Sequence, residues 1–341
     1  MIEALLYTKK DDKGVVCHVC KHFCRIKPGK RGICGVRENQ DGQLFFLAYS
    51  KVIAASVDPI EKKPIYHLKP GSFSYSIATP GCNFKCDFCQ NSDIAHMPQN
   101  SNGMIQGREI LPEKIVSDAV NAGCESIAYT YTEPTIFFEL AIETAKLARK
   151  KGLFNIFVTN GYMSGKALEI LSNVLDAANV DLKSFDPQFY ESFCKAKLEP
   201  VKENLRQMKE MGILVEITTL LIPGLNDDSD HINAMACFIA NDLGPETPWH
   251  ISRFHPSYQM TNRPVTSVAS LEKAYDAGKA AGLRYVYIGN LAGHASENTH
   301  CHVCNKLLVQ RHGYQIKNNL THAMSGVGRC PDCDTMVHGL Y

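Results

Sequence analysis

Between positions 73 and 289, short apolar runs alternate with segments of helical period. FSYSIAT (73–79), SIAYTY (126–131), NIFVTN (155–160), AANVDLKS (177–184), LVEITTLLIP (214–223), WHISRF (249–254) and YVYIG (285–289) are brief and rich in β-branched and aromatic residues, and each predicts a strand. LPEKIVSDAVNAG (111–123), TIFFELAIETAKLARKKG (135–152), GKALEILSNVL (165–175), DSDHINAMACFIANDLG (228–244) and a stretch around 270–282 predict helices, as do two shorter pieces at 187–195 and 201–212. Strict alternation predicts parallel strands joined by crossover helices. About seven β–α steps suit an α/β fold built as an open or partial TIM-like (β/α)6–7 barrel rather than a complete eightfold one.

In such folds chemistry sits at the C-terminal ends of the strands. Polar residues gather there: Cys82 after the first strand, Glu133 after the second and Asn160 at the third. Lys183 follows the fourth, Asn226 the fifth, and Arg253 with His255 the sixth. This convergence makes the loop around Cys82 a candidate active site.

Composition adds a compartment. The 341 residues are 45% hydrophobic and 21% charged, with a net charge of +1, which fits a globular protein with a sizeable core. A near-neutral chain argues against a nucleic-acid partner, and no apolar run is long enough to span a membrane. No signal-peptide pattern opens the chain. Fourteen cysteines are many, and eleven fall in three groups: Cys17, Cys20, Cys24 and Cys34; Cys82, Cys86 and Cys89; Cys301, Cys304, Cys330 and Cys333. Paired C-x2-C knuckles without export signals point to metal-bound thiolates in a reducing cytoplasm. Cys124, Cys194 and Cys237 stand alone and are expected to be small core residues. The groups suggest three parts: an N-terminal four-cysteine module (1–50), the barrel core (51–294), and a two-knuckle, zinc-ribbon-like ending (295–341).

GCNFKCDFCQN (81–91) spaces its thiols C-x3-C-x2-C. Three ligands could hold zinc with a distant histidine, or be incidental core cysteines. They also suit a four-iron cluster, which takes four cysteines when fully ligated, so that three leave one iron open to chemistry. With Phe88 before the third cysteine, this loop closely resembles the signature of radical S-adenosylmethionine (SAM) enzymes. The resemblance implies that Cys82, Cys86 and Cys89 hold a [4Fe-4S] cluster whose open iron binds SAM. One electron would cleave SAM to methionine and a 5′-deoxyadenosyl radical, which abstracts hydrogen from a substrate.

The resemblance extends to the pyruvate formate-lyase activating enzyme branch. By that resemblance YTYTEPT (129–135) would set Glu133 at the SAM amine, VTNG (158–161) would set Thr159 and Asn160 near the ribose, and VDLK (180–183) would bring Lys183 to the SAM carboxylate and Asp181 to the ligand or a cation. Val158 stands where that branch has aspartate. Phe88 and His250 would lie near the adenosyl group. With both ends included, the chain is similar to radical SAM enzymes of the AmmeMemoRadiSam system, which implies Memo-like and AMMECR-type company and a flavodoxin- or ferredoxin-type reductant. Each motif also has a plain reading. Glu133 before Pro134 can start a helix, Asp181 and Lys183 can be a structural pair, and TNG can be a turn. A glycyl-radical activating enzyme is the alternative reaction. A non-enzymatic iron–sulfur carrier or zinc-ribbon binding protein is the alternative of another class.

At the C-terminus, Cys301-x2-Cys304 and Cys330-x2-Cys333 describe a tetrahedral S4 site with zinc as its default occupant. At the N-terminus the spacing x2, x3, x9 differs from the bacterial ferredoxin run. There zinc or a second iron–sulfur cluster remains open, with His18 and His22 as substitute ligands.

Overall fold

A computed structural model describes residues 1–324 and 326–341. Seven strands are joined by six helical crossovers, in the predicted order: β1 (Phe73–Ala78), α1 (Pro112–Asn121), β2 (Ser126–Tyr129), α2 (Phe138–Lys150), β3 (Phe154–Thr159), α3 (Gly165–Ser172), β4 (Ala177–Asp181), α4 (Glu199–Glu210), β5 (Leu214–Leu221), α5 (Ser229–Phe238), β6 (Trp249–Arg253), α6 (Val268–Ala280) and β7 (Val286–Gly289). Among the described residues no helix is long and apolar enough to cross a membrane.

The chain divides into two compact units. The first comprises residues 1–58, 73–176 and 193–196. In it β1, β2 and β3 pair in parallel with β2 in the middle. Every residue of β2 is buried, as expected of a parallel strand covered on both faces. Ile127, Ile156, Phe157, Phe137, Phe138 and Leu140 form its core. Small antiparallel ribbons make up its N-terminal part. One ends in a tight Asp41-Gly42 turn with positive φ at both residues, the geometry that suits the twist of a two-residue hairpin. Arg37, on that ribbon, is buried against Glu139 of α2 through two hydrogen bonds of 2.9 and 2.5 Å.

The second unit comprises residues 59–72, 177–192 and 197–341. Its strands β4, β5, β6 and β7 pair in parallel in that order. Trp249 is buried and donates its indole N–H to Thr219 at 2.9 Å. The C-terminal ending packs Leu308, Val309, Val337 and Tyr341 against Tyr66, Tyr285 and Tyr287. Arg311 of the ending is buried, stacks 4.0 Å over the ring of Tyr66, and donates to the Thr299 hydroxyl and the Tyr66 carbonyl. The ending is therefore bonded into its unit through buried polar groups.

Three local expectations shift. The fourth strand stops at Asp181 rather than at 184. The helix expected at 187–195 is one α-turn, Pro187–Phe189, followed by a wider π-type turn over Tyr190–Cys194. Cys237, expected in the core, is exposed, whereas Cys124 and Cys194 are buried. On α5 the buried residues are Ile232, Met235, Ala236 and Phe238, and Cys237 falls outside that stripe.

His67 is buried between the carbonyl of His338, 2.5 Å from Nδ1, and the hydroxyl of Tyr287, 2.7 Å from Nε2. Burial pushes its pKa down to about 4, against the opposing pull of the Glu216 carboxylate. An unfolded histidine titrates near pH 6.5. Between those values the unfolded chain binds more protons, so stability is complete above about pH 6.5 and falls as acid is added. The expected loss between pH 7 and pH 5 is about 2 kcal/mol. Urea unfolding of wild type and His67→Gln at both pH values measures it. The variant should lack this part of the slope.

Candidate active site

The cysteine loop leaves β1 through Gly81, whose φ is +105°. A Cβ there would stand 2.9 Å from the carbonyl oxygen of Cys34 and 2.9 Å from a methyl of Val36. Only glycine lets the loop pass so close to the N-terminal ribbon. The backbone N–H of Lys85 donates to Cys194 O and that of Asp87 to Phe193 O, both at 3.0 Å, which pins the loop. Cys86 and Phe88 are buried, and Cys82 and Cys89 are partly exposed. The Phe84 N–H donates to Cys82 Sγ at 3.4 Å, a contact that favours thiolate. Burial first, and then the charge of Glu133, pushes the Cys82 thiol well above its usual range.

Glu133 is 3% exposed. Its Oε1 accepts from Thr135 N (3.0 Å), Thr135 Oγ1 (2.5 Å) and Thr159 Oγ1 (2.7 Å), and its Oε2 accepts from Asn160 N (2.8 Å). The carboxylate thus caps the turn Pro134–Phe137, as the plain reading expects, and also ties it to the end of β3. Four hydrogen bonds hold the charge, yet burial raises the pKa overall. Among the described residues no lysine or arginine forms an ion pair with Glu133. A buried carboxylate without a counterion, beside a thiol loop, suits a cationic ligand. Asn160 is tied to the loop as well, since its Nδ2 donates to Asn83 Oδ1 at 2.8 Å. Cys82, Glu133, Thr159 and Asn160 therefore converge, with Asn83 as the link.

In the second unit Lys183 and Asp181 pair at 2.8 Å. Asn226 donates to the Lys183 carbonyl at 2.7 Å and fixes the turn after β4. His250 sits in a different setting. Its Nε2 is 2.7 Å from Glu216 Oε2, and its ring stacks on Tyr287 at 5.0 Å with an edge contact to Tyr66. Glu216 Oε1 takes the backbone N–H groups of Tyr66 (2.9 Å) and His67 (2.8 Å). Burial pushes the Glu216 pKa up, but the hydrogen bond and charge of His250 outweigh it, and the carboxyl lies below its usual range. Glu216 orients His250 with Nε2–H donating, which leaves Nδ1 for other contacts.

The four C-terminal sulfurs lie within 4.8 Å of one another. Cys301 and Cys333 are 3.6 Å apart, and Cys304 and Cys330 are 3.5 Å apart. Zn–S bonds of about 2.3 Å place tetrahedral sulfurs about 3.8 Å apart, so this spacing suits one ion. Cys17, Cys20, Cys24 and Cys34 line one small cavity together with His22, Arg37 and Asn83. His22 Nε2 is 2.9 Å from the Asn83 carbonyl, and His18 Nε2 is 3.0 Å from Thr8 Oγ1.

Sequence reading missed Glu216, Asn83 and the Arg37–Glu139 pair. A lone acid inside the apolar run LVEITTLL was the one signal for Glu216. Nothing in the pattern marked the other two, because their partners lie far away in the chain.

These features define an α/β protein whose polar groups and thiols sit at the C-terminal ends of parallel strands. Residues 76–235 match the model of the Radical SAM superfamily. An uncharacterized protein of Methanocaldococcus jannaschii is 44% identical over 317 residues, covering 93% of each chain. A putative glycyl-radical enzyme activating enzyme of the same organism is 31% identical over 170 residues, 49% of this chain and 62% of that one. The crystal structure of a radical SAM methyltransferase from Sphaerobacter thermophilus superposes with a TM-score of 0.50 at 14% identity, over 70% of this chain and 71% of that one, and shares the fold. Residues 76–235 belong to the Radical SAM superfamily.

Proposed function

We propose that this chain is an enzyme that reductively cleaves SAM and uses the product radical on a substrate. The observation that carries the reading is the convergence of the Cys82 loop with the buried carboxylate of Glu133, which among the described residues pairs with no lysine or arginine. Cys82, Cys86 and Cys89 would hold a [4Fe-4S] cluster, with Phe84 N–H supporting the Cys82 thiolate. Bound there, the cluster would supply the one electron for reductive cleavage of SAM to methionine and a 5′-deoxyadenosyl group able to take hydrogen from a substrate. Glu133 would bind the SAM ammonium, Thr159 and Asn160 the ribose, Lys183 the carboxylate, and Asp181 the ligand or a cation. Phe88 and His250 would border the adenosyl group, the latter oriented by Glu216. Anaerobically reconstituted protein, reduced with dithionite in the presence of SAM, should release 5′-deoxyadenosine; its absence from a protein that holds its cluster would overturn the reading.

The name of the 31% identical relative supports a second reading, installation of a glycyl radical on a partner protein. The cysteine groups at both ends support placement in the AmmeMemoRadiSam type, divided as 1–50, 51–294 and 295–341. Memo-like and AMMECR-type proteins and a flavodoxin- or ferredoxin-type reductant would be its partners, in the cytoplasm.

Zinc would occupy the C-terminal site. Replacing Cys301 and Cys304 with serine should remove about one zinc and make the ending protease-sensitive, since binding energy at a structural metal site is folding energy. Zinc analysis and limited proteolysis check this. A fully retained zinc would contradict the assignment.

A further inference from the structure

The backbone just ahead of Glu133 is strained. Tyr131 has a φ of +63°, and the Thr132 N–H donates to the Thr130 carbonyl at 2.8 Å, which closes a γ-turn around it. The γ-turn of positive φ is the rare, unfavourable form, and a bulky side chain adds to its cost. A residue in such a conformation persists only where its surroundings hold it there.

Tyr131 is held at both ends. Its hydroxyl donates to the buried carboxylate of Asp58, and the Ser56 and Ser76 hydroxyls hydrogen-bond to it as well. Burial first, and then Asp58, pushes the phenol pKa up, so the group stays a donor. Its carbonyl accepts from Asn91 Nδ2 at 2.8 Å. Asn91 ends the cysteine loop and opens the short turn Ser92–Ala95, a place where an asparagine side chain ordinarily caps the N–H groups that follow. This one makes no cap and reaches 40 positions along the chain to Tyr131 instead. Next to it, Thr132 Oγ1 donates to the Thr79 carbonyl at 2.7 Å, where β1 runs into the loop. Near the start of the loop Asn83 meets Asn160, whose N–H holds Glu133. The loop is thus bonded at both its ends to the residues that carry Glu133, all within the first unit. A ligand that meets both the loop and the carboxylate needs them at a fixed distance, and the turn at Tyr131 sets it on the side of β2.

We propose that Tyr131 is a positioning residue for SAM: clamped between Asp58 and Asn91, it keeps Glu133 in register with the Cys82 loop. This rests on the reading that the loop carries the cluster and Glu133 the ammonium. Full-length Tyr131→Phe and Asn91→Ala are reconstituted anaerobically, assayed for iron and sulfide, and titrated with SAM against the EPR signal of the reduced cluster. Phenylalanine keeps the ring and loses the bond to Asp58; alanine frees the Tyr131 carbonyl. Both should keep the wild-type iron content and bind SAM about tenfold more weakly. In a Glu133→Ala background Tyr131→Phe should weaken binding no further, because it acts through that carboxylate, whereas a merely structural residue would weaken both proteins alike. Unaltered dissociation constants in both variants, an equal loss with and without Glu133, or loss of the cluster from both variants overturns the proposal. Wild type that holds its cluster and binds no SAM overturns the reading beneath it as well, which tells the two failures apart.

Discussion

Cys86→Ala should abolish 5′-deoxyadenosine formation. Three thiols are the fewest that can carry the cluster while leaving one iron open, and alanine offers no ligand. Cys86 is 8% exposed, in a loop pinned at Lys85 and Asp87, so no other part of that loop can swing in to replace it. The iron count should drop by about four, and product should fall to the level without enzyme. Cys124→Ala is the control, because this thiol is also buried but stands alone between α1 and β2. It should keep both iron and turnover. Unchanged turnover in Cys86→Ala would sink the assignment of the loop.

Glu133→Ala should weaken SAM binding by roughly 10- to 150-fold, the equivalent of about 1.5–3 kcal/mol for a hydrogen bond to a charged group. The site is buried, so the ammonium would meet an unscreened carboxylate. Alanine also strands the N–H groups of Thr135 and Asn160, which lose their acceptor. That loss affects folding as well as binding, so the dissociation constant is read by titrating SAM against the EPR signal of protein with full iron content. Burial raises the Glu133 pKa. A cation binds the ionised form, so wild-type affinity should decline as pH falls, starting above the range of an ordinary glutamate, and the variant should show no such decline. An unaltered dissociation constant would leave Glu133 with its helix-start role alone.

The positions of Cys82, Glu133, Asn160 and Lys183 after successive strands were legible because strand alternation and helix period are local patterns. So was the pairing of the C-terminal knuckles, where two residues separate the ligands of each pair. Glu133 shows the limit. Sequence offered a cap or a ligand, and the structure shows the cap plus a tie to β3, with no lysine or arginine paired to the carboxylate among the described residues. Cys237 shows another, since a helix has two sides and only packing selects the buried one.

The sequence by itself determined the alternating α/β order, the three thiol groups and the spacing that marks the superfamily, because each depends on neighbours a few residues apart. Tertiary structure decided what surrounds them. Glu216 reaches His67 across 149 positions and Arg37 reaches Glu139 across 102. Packing also brings the four C-terminal sulfurs within 4.8 Å of one another and sets the four N-terminal cysteines around one cavity. Ligand type is written in the chain, but the distance between sulfurs arises only when remote segments close around the same volume.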